Sequence, residues 1–428
     1  MTRHPGTARV ITDGIVQSPH KQTMTRLVSK TPDFTGGGGR HVVCRANSVS
    51  LSDFTDMRRE AARPPEFRGE RFNREFDSTT LFYDAVRVDD SQVALFAPPL
   101  FNLAKAIAAA TFSDGSNRYS PRIRRLDRHA QLWLDIPENP DPIRASGPLG
   151  KFEFSVSRNE SQMFRGCRVI FTMSKDNPIE WILDWVKFNR DIHGADAVLI
   201  YDNGSTAYDS AALSAALASI SGLRCSVVME WPFKYGPQGT NSWDHWDSDF
   251  CQLGAWEHAR WRFLQEARSV MNSDIDELVL SKTGQSVFEA AERSWSGLVR
   301  YRGRWIIGTD DGRRDSPMSA PERHFDYSIL MPPKYELSRF LMRRDANECL
   351  AKWTVVPNRC PAYAQWHVHS IFSWWASYFC TRDFAFRHFR EIGSNWKYPR
   401  TQRVLLDPAV HRADGLLEKT FQRVDWEN

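Results

Sequence analysis

A chain of 428 residues, 41% hydrophobic and 25% charged, has the composition of a folded protein and the length for two or three domains. A net charge of +4 gives no whole-chain case for nucleic acid as a partner. Seven cysteines with no C-x-x-C spacing exclude a disulfide scaffold and a zinc knuckle, and point to reduced thiols in a cytoplasmic protein.

Residues 1–45 are rich in Thr, Ser, Arg and Gly, and a disordered tail is expected there. The run Gly36–Gly39 is not a phosphate loop, because no apolar strand precedes it and no lysine follows at the required spacing. Residues 46–165 hold short apolar runs separated by turn signals such as "SDGSN" and "PENPDP", and read as a small β-rich domain. The most apolar stretch, Val93 to Phe112, is broken by Pro98, Pro99 and Lys105. No integral membrane segment is expected, which leaves peripheral attachment to the inner face of a membrane open. The N-terminus has no apolar signal core. The basic run Arg122–Arg128 reads as a solvated face.

From residue 166 the pattern changes. "CRVIFTMS" (Cys167 to Ser174) is a continuous apolar strand, as expected where both faces are covered. Asn177 then suits an N-cap, Pro178 the first helical position and Glu180 a capping box, with Ile179, Ile182, Leu183 and Val186 on one helical face. A second buried strand ends at Asp202, a helix follows over 209–220, and a third strand, "CSVVMEWP", comes next. The helical run "FCQLGAWEHARWRFLQEA" leads into "MNSDIDELVL" (Met271 to Leu280), which fills with acid just where a strand should finish. Alternating strands and helices over 166–405 predict a wound, mostly parallel α/β sheet with flanking helices, and 406–428 reads as a C-terminal extension. Ligands bind such sheets beyond the carboxyl ends of their strands, where Asp176, Asp202 and Asp274 stand.

Two carboxylates two residues apart at a strand end can share one Mn2+ or Mg2+, with substrate phosphates completing its shell. Asp247 and Asp249 have the same spacing, but sit in a Trp/Asp loop and read as a solvated pair. "VLIYDNGSTAYDS", "MNSDIDELVL" and "IEWILDWVKFNRDIHGAD", followed by "KWTVVP", "WHVHSI" and "RHFREIGSNWKYPR", together resemble bacterial glycosyltransferase family 2-type proteins. Those have the GT-A fold and are distantly similar to glycosyltransferase family 92. The resemblance covers roughly 167–403. It implies a metal held by Asp274 and Asp276, a nucleotide-sugar donor bound at Asp176, Asp202 and Asn203, a carbohydrate or glycoconjugate acceptor, and inversion at the sugar. Related sequences place Asn-Glu where this chain has Asp176 and Asn177.

His388 is the candidate third metal ligand, with His367 or His369 as alternates that alternate along one strand. Lys397 and Arg400 are candidate phosphate partners. Inversion needs a general base, and Asp310 and Asp311, just after the apolar "RWIIG", are the candidates, though "TDDG" is also good turn chemistry. Trp243, Trp246 and Trp305 could stack on a sugar ring. Two other readings stand beside the transferase: a metal-dependent phosphohydrolase, and a non-catalytic carbohydrate- or partner-binding protein on the same fold.

Overall fold

The computed structural model describes residues 40–137, 142–237, 247–310, 322–337, 343–394 and 403–427. Among these, an eleven-stranded mixed sheet forms the centre of the fold. Its strands include β1 (Arg40–Arg45), β2 (Arg168–Ser174), β3 (Ala197–Asp202), β4 (Cys225–Glu230), β5 (Ser269–Asn272), β6 (Glu277–Ser281), β7 (Leu298–Ile307), β8 (Glu348–Val355) and β9 (Phe384–Phe389). The order β1-β4-β3-β2-β5 is parallel throughout. Beyond β5 the sheet turns antiparallel, through β8 and then β7. β9 pairs parallel with β7 and antiparallel with β6.

Alternation along the parallel strands feeds two apolar layers. Ile170, Val198, Ile200 and Val228 pack with helix α1 (Ile179–His193), through Trp185 and Val186, and with α2 (Ser210–Ala218), through Leu213 and Leu217. Val169, Phe171, Leu199, Val227 and Met229 pack on the opposite face with α3 (Phe250–Arg262), through Cys251, Trp256 and Ala259. Strands covered on both sides carry no polar alternation, which is why they read as continuous apolar runs. α4 (Val287–Arg293) follows β6.

Local chemistry sets the helix ends, with one difference from expectation. Helix α1 has Pro178 as its N-cap, and Asn177 instead donates from Nδ2 to Ser174 Oγ at 2.9 Å. The helix ends where Gly194 takes φ 72°, a left-handed conformation that glycine adopts without a Cβ penalty. Asp209 caps α2 by accepting from the Ala212 amide at 2.6 Å.

Residues 40–45, expected within the tail, form the edge strand β1 beside β4. Residues 1–39 lie outside the described residues. Two four-stranded antiparallel sheets occupy the stretch Asp84–Phe154 and enclose a core of their own around Leu95, Ile107, Phe112, Leu132 and Ile143. Within 406–428, read as a C-terminal extension, α5 (Gly415–Phe421) packs Leu417 and Phe421 into the main core. No helix among the described residues is long and apolar enough to cross a membrane.

Candidate functional site

The chain leaves β2 in one direction, adding β3 and then β4, and returns to place β5 on the other side of β2. That reversal is a topological switch point, and the crevice beyond the carboxyl ends of β2 and β5 is where a wound sheet binds ligands. "MNSDIDELVL" lies there, and it is two strands rather than one. β5 ends at Asn272 in the parallel core, whereas β6 begins at Glu277 and pairs with β9. The acidic residues between them form the turn.

Hydrogen bonds within the turn hold it. The Asp274 amide donates to Glu277 Oε2 at 3.0 Å, the Glu277 amide to the Asp274 carbonyl at 3.0 Å, and Ser273 Oγ to the Glu277 carbonyl at 2.9 Å. Beneath it, Lys352 on β8 places Nζ 2.8 Å from Asp274 Oδ2 and 3.0 Å from Glu277 Oε2, with its side chain 1% exposed. Burial alone would lower the Lys352 pKa. The two carboxylates override it and hold the ammonium well above the usual lysine range. Above the turn, His388 Nε2 is 3.0 Å from Asp276 Oδ2, and Nδ1 is 3.7 Å from Glu277 Oε1. The cross-strand pairing of His388 with both Glu277 and Trp305 brings this about. Trp305 stacks on the imidazole at 3.9 Å, so its ring fixes His388.

Asp276 and His388 are thus brought together, while Asp274, in the same turn, faces Lys352. His369 is nearby: burial, then the Lys352 charge, pushes its pKa down to about 3 and keeps it neutral, and its Nδ1 lies 3.3 Å from the Ala351 carbonyl. His367 and His369 do not alternate on a strand. They sit in the turn of a hairpin closed by the His367 amide on the Ser370 carbonyl, between Gln365–Trp366 and Ile371–Phe372. His367 faces away, toward Arg128 Nη2 at 2.6 Å and Asp127 Oδ2 at 3.2 Å.

The donor-side candidates shape loops. Asp176 takes φ 51° and accepts at Oδ1 from the amides of Thr206 (2.5 Å) and Ala207 (3.1 Å). Partial burial would raise its pKa, but these amides outweigh it and the net shift is downward. Asp202 accepts from the amide and hydroxyl of Ser205, and Asn203 donates from Nδ2 to the carbonyls of Trp231 and Phe233, both at 2.8 Å. Asp310 is exposed, in a short ribbon where it pairs with Leu405. Asp311, Lys397, Arg400, Trp243 and Trp246 lie outside the described residues. The second D-x-D is not a solvated pair. Asp247 is buried against Arg63, at 3.0 and 2.5 Å, and Asp249 lies 3.1 Å from Arg128.

Sequence reading missed Lys352 and Glu277 as part of this site. The signal was present, since a lone lysine in the otherwise apolar "KWTVVP" needs a buried counter-charge. Among the described residues, no three His, Cys, Asp or Glu side chains converge closely enough to define a metal centre. Asp274 and Asp276 supply the carboxylate oxygens that a hard divalent ion takes, and His388 Nε2 stands at hydrogen-bond distance, 3.0 Å, from Asp276 Oδ2.

The chain matches no protein-family profile and no curated protein. Among solved structures, two distant similarities stand out only weakly. A crystal structure of galactosyltransferase LgtC in complex with donor and acceptor sugar analogs is 14% identical over 45% of this chain and 58% of that one, with a TM-score of 0.23. An active-site mutant of LgtC is 12% identical over 46% and 60%, with a TM-score of 0.22. This chain therefore spans less than two thirds of either neighbour.

Proposed function

We propose that the chain is a glycosyltransferase of GT-A type, related to the family 2-type proteins, that moves a sugar from a nucleotide-sugar donor to a hydroxyl of a carbohydrate or glycoconjugate. The reading rests on the acidic turn at the switch point, where Asp276 meets His388 at 3.0 Å over a buried Lys352. Asp274, Asp276 and His388 would hold Mn2+ or Mg2+. When bound, that ion neutralises charge on the departing diphosphate. Lys352 keeps the two inner carboxylates compensated, so the turn holds its shape while Asp276 and the outer face of Asp274 address the ion. Trp305 keeps the imidazole in register. Loops stiffened by Asp176, Asp202 and Asn203 would flank the nucleotide, and Lys397 and Arg400 would meet its phosphates. Asp310 or Asp311 would take the acceptor proton in an inverting displacement.

A panel of nucleotide sugars scored for nucleotide release, with and without manganese, tests this. Metal-dependent release from at least one donor is expected. Asp276→Asn should reduce it by about 10²-fold or more, in the range of other lost electrostatic stabilisers, with an unchanged melting temperature. No release from any donor, or an undiminished rate in Asp276→Asn, would remove the assignment.

A further inference from the structure

Two short segments far apart in sequence put their aromatic rings outside the protein. Trp295 follows the end of α4 and is 85% exposed, while Trp375, Tyr378 and Phe379, in the turn before β9, are 49%, 86% and 68% exposed. The rings form one surface: Trp295 and Trp375 are 5.3 Å apart between centroids, and Trp375 and Phe379 are 6.2 Å apart. At 150–250 Å² per ring, their exposed area is on the order of 600 Å². That is at the top of the range for the largest apolar patch on a monomer, and such patches are often functional.

The rings are mounted rigidly. In the same turn Trp374 and Ala376 are buried, which anchors it from beneath. The Arg300 guanidinium donates to the carbonyls of Ser377 and His369. The Ile371 amide donates to Ser377 Oγ at 3.1 Å. Four aromatic rings held outward over this hydrogen-bonded turn present a surface rather than an unfinished core.

The charge around this surface has one sign in excess. Lys282, Arg293, Arg359 and Arg382 are exposed around it. Arg359 donates to the carbonyls of Glu292 and Ser294, directly beside Trp295. Three carboxylates lie nearby: Glu289 pairs with Arg293, Glu292 is held by Arg168 and Arg268, and Asp383 accepts from the Thr381 hydroxyl, so Lys282, Arg359 and Arg382 outnumber the one carboxylate without an arginine partner. Trp, Tyr and Phe flanked by Lys and Arg match the interfacial layer of a bilayer, with rings at the headgroup boundary and cations on phosphate. A sugar-stacking platform would instead meet hydroxyl groups with free carboxylates and amides, whereas Glu289 and Glu292 are held by Arg293, Arg168 and Arg268. A second copy would set the same cations against each other across an area below the ~800 Å² per partner of a stable interface.

We infer that this surface docks the protein on an anionic lipid bilayer. Arg300 joins the turn to His369, beside the acidic turn, so docking would also fix how the candidate site faces the membrane. The inference does not depend on the proposed chemistry, because its test reads binding alone.

The test is co-sedimentation of the full chain with vesicles of phosphatidylcholine, with or without phosphatidylglycerol. Binding is expected only to vesicles containing phosphatidylglycerol, and it should weaken as salt is raised. Trp295→Ser/Trp375→Ser/Tyr378→Ser/Phe379→Ser should lower the partition coefficient by about tenfold or more, without lowering the melting temperature. Arg293→Glu/Arg382→Glu should lower it comparably, by about tenfold or more. Residues 1–39 are present in every variant, so binding through them would persist. Failure of the wild type to bind either vesicle, or equal binding by the aromatic variant, would overturn the inference. So would a wild-type dimer that the aromatic variant converts to monomer, or capture of soluble oligosaccharide in place of vesicles.

Discussion

Lys352 shows how much one side chain decides. It is the buried cation between Asp274 and Glu277, and Glu277 is itself only 3% exposed. Removing one member of a buried ion pair leaves the other charge uncompensated, at a cost of about 3–5 kcal/mol. Lys352→Met should therefore lower unfolding free energy by about that amount, measured by urea titration. Lys352→Met/Glu277→Gln should recover most of the loss, because the neutral amide needs no counter-ion and can still accept the Asp274 amide. If the single variant were as stable as wild type, Lys352 would not be the cation that compensates the turn. Asp276 differs, because its partner His388 lies nearer the surface, so Asp276→Asn should spare the fold.

At the scale of elements, His193 joins three of them. From the end of α1, its Nε2 donates to the Val279 carbonyl of β6 at 2.7 Å, and its Nδ1 accepts from the Val287 amide at the start of α4 at 3.2 Å. This pattern needs the neutral ring protonated on Nε2, and burial pushes its pKa down to about 4. The unfolded chain takes up this proton near pH 6.5 while the folded chain still refuses it. Stability contributed by neutral His193 is then full above pH 6.5 and falls as pH drops toward 4, by up to about 3 kcal/mol at 1.36 kcal/mol per unit. His129, buried and pushed down to about 3, adds a term of the same sign. Thermal melts between pH 7 and 4.5 should show this slope, and His193→Gln should be less stable at neutral pH yet flatter in pH. An unchanged slope in that variant would assign the acid sensitivity elsewhere.

The elements were legible where burial on two faces wrote itself into the sequence. "CRVIFTMS", "AVLIYD" and "CSVVME" could hardly be anything but covered strands, and the helix over 209–220 was legible, whereas the N-cap expected at Asn177 falls at Pro178. β1 was not legible, because its partner β4 lies 185 residues further on and pairing at that range leaves no local trace. The break within "MNSDIDELVL" was hidden for a related reason: the acids were visible, but β6 leaves the parallel core to pair with β9, which is known only once the sheet is assembled. His388 was proposed from its motif, whereas its stacking against Trp305 depends on that same pairing.

For the molecule as a whole, the joint between the β-rich region and the central sheet matters most, and it runs through α3. Asp84, fully buried, accepts from His258 Nε2 and Arg262 Nη1, both at 2.8 Å, and from Ser157 Oγ at 2.8 Å. Burial would raise the Asp84 pKa, but Arg262 and His258 outweigh it and the net shift is downward, so it stays ionised. On the far side of the ring, His258 Nδ1 is 2.6 Å from the Tyr201 hydroxyl of β3, which completes a polar chain from one region to the other. One helix turn away, a Cβ on Gly254 would lie 2.6 Å from the Tyr83 ring, so the helix and the β-rich region meet without room for a methyl group. Wild type should accordingly unfold in one transition. Asp84→Ala leaves Arg262 charged and buried, and should cost about 3–5 kcal/mol. Gly254→Ala attacks the same joint by shape alone, at about 1–3 kcal/mol for overpacking. Both should separate calorimetric unfolding into two steps, with hydrogen exchange appearing first in 84–154. A Gly254→Ala protein that melts in one step at the wild-type temperature would show that the joint tolerates a shift of Tyr83, and the two regions would then be coupled by the Asp84 network alone.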